Sequence, residues 1–163
     1  MDSPQDKVKL SLRLPAGWEQ DGPVENGMAF FKDKENVDNN GTVCIWPADG
    51  KALNDWVDSQ VRYMGKMEEV AGALGEEMEQ FGGVGAGDIP EEAFGWRLIS
   101  RTPKTVGKWE AAEMVEELSG KKSITYFVKK GDRICQVSFF AFPEDWAENE
   151  SLFRKSLESV KIR

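Results

Sequence analysis

Ser123–Phe142 reads SITYFVKKGDRICQVSFFAF. Two alternating runs flank Lys130-Gly131-Asp132, so the stretch predicts a β-hairpin at the centre of a sheet. In the first arm Ile124, Tyr126 and Val128 point one way, and Thr125, Phe127 and Lys129 the other. Glycine at the tip tolerates the positive φ that a tight turn requires. The second arm, Arg133–Phe142, is apolar on both sides. Cys135, Val137, Phe139 and Ala141 share one face, and Ile134, Phe140 and Phe142 share the other with Gln136 and Ser138. Such a strand is expected to lie between two covering layers, with a lipid or cofactor pocket as the alternative. Pro143 ends it, because proline has no N–H for the ladder.

Working outward toward the N-terminus, Trp109–Leu118 and Phe94–Thr102 complete an antiparallel meander with the hairpin. In the latter, Trp96, Leu98 and Ser100 are expected on one face and Arg97, Ile99 and Arg101 on the other. Pro103 and Gly107 bracket the turn between these strands, and Gly120-Lys121-Lys122 leads into the hairpin. Ala, Glu, Met and Leu make a helix the rival for Trp109–Leu118, but short gaps on either side favour a strand. Toward the C-terminus, a helix beginning near Asn149 or Glu150 runs through Ser159, with Leu152, Phe153, Ser156, Leu157 and Val160 as its packed stripe. Val160–Arg163 closes as a short strand.

The N-terminal half supplies a second sheet region. Val8–Leu14 alternates as a half-solvated strand, with Val8, Leu10, Leu12 and Leu14 inward. Pro15-Ala16-Gly17 turns the chain, and Trp18 is expected to lie over the core. Gly27–Lys32 and Thr42–Trp46 form another hairpin across a polar loop, where Asn39-Asn40-Gly41 is a turn signal. Lys51–Gly65 reads as an amphipathic helix with Asp49 as its cap. Val70, Leu74, Met78 and Phe81 suit a second helix, weakened by Gly72 and Gly75. Gly82–Glu92, GGVGAGDIPEE, reads as a mobile connection, with Gly82–Asp88 its loosest part. The first six residues are expected to fray.

The chain has 163 residues and a net charge of −8, the size of one ordinary domain. The acidic balance disfavours nucleic acid and anionic membranes, both of which select basic surfaces. No histidine is present, which removes the commonest general base and transition-metal ligand. Cys44 and Cys135 lie in predicted strands and are expected to be free, buried thiols. The longest apolar runs fall short of a transmembrane helix. As the chain stands a cytoplasmic location is expected, or a periplasmic or lipid-anchored one if a leader has been removed.

Motifs for chemistry fail on spacing. The acidic and amide residues between Asp33 and Asn40 lack the order of a calcium loop. In the glycine-rich stretch the Walker pattern is absent, and the last glycine of GxGxxG would fall on Asp88. Glu113 and Glu117 share a strand face about 13 Å apart, beyond the roughly 5–9.5 Å of a glycosidase pair, and read as solvated.

Several stretches, taken in order, are similar to one family. They are Leu12-Arg13-Leu14-Pro15-Ala16-Gly17-Trp18, then Phe30-Phe31, then Val106–Glu113, then Tyr126–Arg133, then Phe139–Trp146, and finally Phe153 with Ser159–Ile162. In this order the chain resembles the PsbP/Mog1-like superfamily, including the bacterial PsbP-like domain of formerly unknown function. The resemblance spans nearly all of residues 1–163 as one domain. It implies an α+β fold with a central antiparallel sheet and helices on both faces. It also implies a protein that is not an enzyme. Family members serve as photosystem-associated subunits, bind a small GTPase, or act in bacteria as secretion-effector chaperones, immunity proteins or envelope lipoproteins.

The expectation is therefore a non-catalytic module that binds another polypeptide through an apolar groove or sheet face. It has no catalytic, cofactor-binding or metal-binding residues, and binds neither cofactor nor nucleic acid. The alternatives are a small-molecule or lipid carrier, with a pocket lined by Phe139, Phe140 and Trp96, or an enzyme using carboxylate or thiol chemistry.

Overall fold

The computed structural model describes residues 8–80 and 95–163, and for residues 71–80 the backbone alone. The elements are β1 (Leu10–Ser11), β2 (Trp18–Gln20), β3 (Met28–Asp33), β4 (Asn40–Pro47), α1 (Leu53–Gln80), β5 (Trp96–Val106), β6 (Trp109–Leu118), β7 (Lys121–Lys130), β8 (Arg133–Ala141), α2 (Pro143–Glu158) and β9 (Lys161–Ile162). Seven strands form one antiparallel sheet in the order β2-β3-β4-β8-β7-β6-β5. The fold is α+β, with this large antiparallel sheet and two helices.

The central hairpin is β7–β8. Lys130 pairs with Arg133, leaving Gly131 and Asp132 as a two-residue turn with Gly131 at φ 57°. A positive φ at the first turn residue matches the right-handed strand twist. β4 pairs with β8 from Asn40↔Phe140 to Pro47↔Arg133, so this one ladder joins the N-terminal strands to the meander.

The two apolar clusters alternate along the strands. Tyr126, Val128, Cys135, Val137 and Phe139 pack with Trp146, Phe153 and Leu157 of α2. Phe127, Ile134, Ala112 and Met114 pack with Leu53, Trp56 and Val57 of α1. Trp18 begins β2 and sets its ring edge-on to both Phe139 and Phe153 at centroid distances of 5.5 Å. It is therefore a core member, as expected, but also the start of a strand that the sequence did not mark.

Several expectations need correction. β1 is only two residues long and pairs with β9 in a separate two-stranded sheet. The inward residues of the predicted Val8–Leu14 strand nonetheless pack on the α2-side cluster. Gly41 lies inside β4 rather than in the turn, because Phe139 crosses it closely. A Cβ there would come within 2.9 Å of both the ring and the Ser138 carbonyl oxygen. α1 is one continuous helix through Gln80, in place of a helix ending at Gly65 and a second one after it. Asp49 adopts φ 52° in the turn ahead of α1 and is not its cap. α2 starts at Pro143, since proline is preorganised for the first helical position and Glu144 and Asp145 complement the dipole. The β6–β7 turn is Ser119-Gly120, one residue earlier than expected, with both residues at positive φ.

β5 holds a further correction. Its register shifts between Leu98 and Ser100, so Leu98 faces Glu116 while Arg101 faces Met114. A bulge flips the parity of every later residue. Ser100 thus leaves the face of Leu98, and Arg101 joins it. Pro103 lies within β5, which tolerates it as an edge strand. The expected fraying of the first six residues and the loose Gly82–Asp88 loop lie outside the described residues, as does Phe81.

Candidate functional site

β3, β4 and β8 carry their odd and even residues to opposite sides. Register places Phe30 opposite Thr42, and Asn40 opposite both Lys32 and Phe140. These residues share a face with Cys44, Gln136 and Ser138. Leu118, Ser119 and Lys121 from the β6–β7 turn face them across an open groove of about 710 Å³, and Val37 from the β3–β4 loop adds an apolar wall. Phe30 is 48% exposed and Val37 66% exposed, so large apolar side chains stand in solvent here.

The rim charges are already engaged. Lys32 Nζ donates to Asp21 at 2.9 Å, and this carboxylate raises the ammonium pKa. Lys121 Nζ donates to the Asp38 carbonyl oxygen at 2.8 Å and lies 4.7 Å over the Phe142 ring. Beside the groove runs a polar line. Trp46 Nε1 donates to Gln136 Oε1 at 2.8 Å, Gln136 Nε2 to Ser138 Oγ at 3.1 Å, and Thr125 Oγ1 to Ser138 Oγ at 2.8 Å. Ser138 and Thr125 are buried, and these bonds satisfy their hydroxyls. A groove with a mostly apolar lining, whose two lysines are held by the Asp21 carboxylate and the Asp38 carbonyl oxygen, suits an apolar or amphipathic segment better than a charged ligand.

The residues singled out from sequence separate in space. Phe139 is fully buried and stacked on Phe153 at 5.1 Å, whereas Phe140 lines the groove on the other face. Trp96 donates its Nε1 to Glu116 at 2.8 Å. The three therefore do not enclose one pocket. Asp33 and Asn36 spend their side-chain oxygens on the amides of Glu35 and Asp38, at 2.9 and 3.2 Å, which are local turn bonds.

Glu113 was expected on a solvated face and is instead buried. Arg154 of α2 reaches Glu113 Oε1 at 2.9 Å, and Lys104 Nζ stands 3.6 Å from Oε2. Hydrogen bonding to Glu113 raises the Arg154 pKa further. Burial, with the Glu113 charge beside it, pushes the Tyr126 phenol up to about 12. Glu117 instead pairs with Arg97 at 2.8 Å.

Cys44 and Cys135 are free and buried. Cys44 faces Gln136 while Cys135 faces Ile45, so their side chains leave opposite sides of the sheet and cannot bridge. Burial pushes Cys135 up to about 11 and raises Cys44 as well, so both thiols stay protonated and poorly nucleophilic near neutral pH.

With this geometry in hand, comparison with solved structures identifies the class of fold. It is the PsbP-like fold. The cyanobacterial PsbP protein CyanoP from Synechocystis superposes with a TM-score of 0.63 at 13% identity, covering 96% of this chain and 92% of CyanoP. A Pseudomonas aeruginosa protein of unknown function, PA94, gives 0.55 at 14% identity over 99% of this chain and 88% of its own. Mycobacterium tuberculosis LpqN, involved in cell envelope biogenesis, gives 0.54 at 10% identity over 98% and 86%. No protein-family model and no curated protein sequence matches the chain.

Proposed function

We propose that the chain is a non-catalytic module that binds another polypeptide in the groove between Phe30, Thr42, Phe140 and Leu118. The observation that carries this reading is the open form of the groove, with Phe30 and Val37 exposed among apolar neighbours. Exposed apolar surface of this kind marks interaction sites. The reading includes α1 and α2 covering opposite faces of the sheet. The alternation of Tyr126 with the α2 cluster and Phe127 with the α1 cluster supports it. α1 then covers one end of its face, and the groove is the uncovered remainder.

Strand addition at a sheet edge is the competing mode of peptide recognition. β5 is unsuited to it, because the bulge, Pro103 and the charges of Arg97 and Lys104 blunt that edge. β2, on the other edge, is three residues long. The expected client is an apolar or amphipathic segment, as a secretion-effector chaperone or an immunity protein would hold.

A second reading, a lipid or small-molecule carrier, is favoured by the groove volume, which falls within the roughly 300–1,000 Å³ of ligand sites. The involvement of LpqN in cell envelope biogenesis points the same way. Affinity capture from the native source, with mass spectrometry of proteins and extracted small molecules, separates the two. The polypeptide reading expects a stoichiometric protein that is lost with Phe30→Asp. A stoichiometric lipid with no protein partner would sink it.

A further inference from the structure

We infer that the outer face of the β1–β9 ribbon, with the end of α2, is a binding site for a phosphomonoester. Ser11 pairs with Lys161 across the ribbon, and the backbone bonds between Lys9 and Arg163 continue the ladder. Alternation therefore puts Lys9, Ser11, Arg13 and Lys161 on one side, while Leu10, Leu12 and Ile162 pack inward. The Arg13 amide donates to Ser159 Oγ at 2.7 Å, which brings the strand against α2 and beside Lys155. Ser11, Arg13, Lys155, Ser159 and Lys161 line a depression of about 440 Å³ whose one carboxylate is Glu158.

Charge assigns the ligand class. In a chain of net charge −8, Arg13, Lys155 and Lys161 gather around one acid. Among the described residues none of these three makes an ion pair. Like charges crowded on a two-stranded ribbon are destabilising, and the single carboxylate of Glu158 offsets only part of the three cations' charge. A bound anion would. α2 presents its C-terminal end here, which repels anions, so attraction must come from the side chains. A guanidinium fork, two ammonium groups and the Ser11 hydroxyl match a doubly charged tetrahedral phosphate. A singly charged lipid phosphodiester leaves that charge unmatched. This site lies apart from the groove and does not depend on its occupant.

The test uses the whole chain titrated with phosphoserine and with inorganic phosphate, read by amide chemical shifts at constant ionic strength. Saturable shifts at Ser11, Arg13 and Lys161 are expected. Arg13→Gln should weaken binding about ten-fold, the loss of a charge-assisted pair. Lys161→Gln should weaken it in the same direction, while Phe30→Asp should leave it unchanged. Three results would overturn the inference: shifts that chloride reproduces, phosphate binding that survives Arg13→Gln and Lys161→Gln together, or binding to phosphatidylglycerol vesicles without binding to either soluble phosphate. Far-ultraviolet circular dichroism on each variant confirms that folding is retained.

Discussion

Gly41 shows how one residue fixes the seam of the sheet. The Phe139 ring lies so close over it that no β-carbon fits without displacing a backbone carbonyl as well. Gly41→Ala is expected to lower stability by about 1–3 kcal/mol through overpacking, read from the urea midpoint. An unchanged midpoint would mean that the ring moves freely. The buried thiols and phenol make a pH prediction at the same scale. Cys135 rises from 9.0 to about 11 and Tyr126 from 10.0 to about 12, so each folded group holds its proton after the unfolded chain has lost it. Stability is full below about pH 9 and falls as pH rises through this window, because the unfolded state there binds fewer protons. Urea unfolding at pH 8 and pH 11 checks the sign. A disulfide reagent should find no reactive thiol in the native protein and two after unfolding without reductant, because the two side chains leave opposite faces.

At the scale of elements, α2 is held to the sheet by apolar contact and by one buried charge. Arg154 bridges Glu113 and Glu150, at 2.9 and 2.8 Å, and Glu113 is almost wholly buried. Arg154→Met leaves that carboxylate only the Lys104 ammonium at 3.6 Å and should destabilise by about 2 kcal/mol, below the value for a fully buried pair because the arginine is partly exposed and Lys104 remains. Adding Glu113→Gln should recover part of the loss, and a denaturation cycle over the four proteins measures it. Strictly additive losses would show that the pair is uncoupled. None of this was legible in sequence, since Glu113 and Arg154 are 41 positions apart and Glu113 alternates like any exposed strand residue. The β5 bulge was hidden for a related reason. Trp96–Arg101 is partly exposed on both sides, so a parity flip leaves no break in its pattern, yet the flip is what carries Arg101 to Asn54 and Asp58 of α1. By contrast, β8 was readable from its apolar residues on both faces and β7 from its alternation, while β6, with four glutamates, was readable as a strand only from the short gaps on either side. Of the groove, sequence singled out Phe140 but wrongly grouped it with Phe139. Phe30, in a strand with apolar neighbours on both sides, gave no sign that it would stay exposed.

At the scale of the molecule, the sheet is two locally connected halves joined by one distant ladder. β5 to β8 follow one another as neighbours, as do β2 to β4, but β4 meets β8 through contacts such as Trp46 with Gln136, 90 positions apart. The α2-side core crosses this seam. Trp18, Ala29, Phe31 and Val43 come from one half, and Val137, Phe139 and Phe153 from the other. Closing so long a loop is entropically costly before its contacts form, so refolding in the range of about milliseconds to seconds is expected. The same arrangement predicts how the chain behaves when cut. Residues 95–163 alone keep four consecutive strands and α2 but lose the indole that caps both phenylalanine rings, and β8 becomes an open edge. Neither residues 1–94 nor residues 95–163 alone should unfold cooperatively. Mixed, they should regain the near-ultraviolet signal of packed aromatic side chains. A sharp urea transition with native-like near-ultraviolet dichroism from residues 95–163 alone would show that the meander is self-sufficient and that the β4–β8 seam only adds to it.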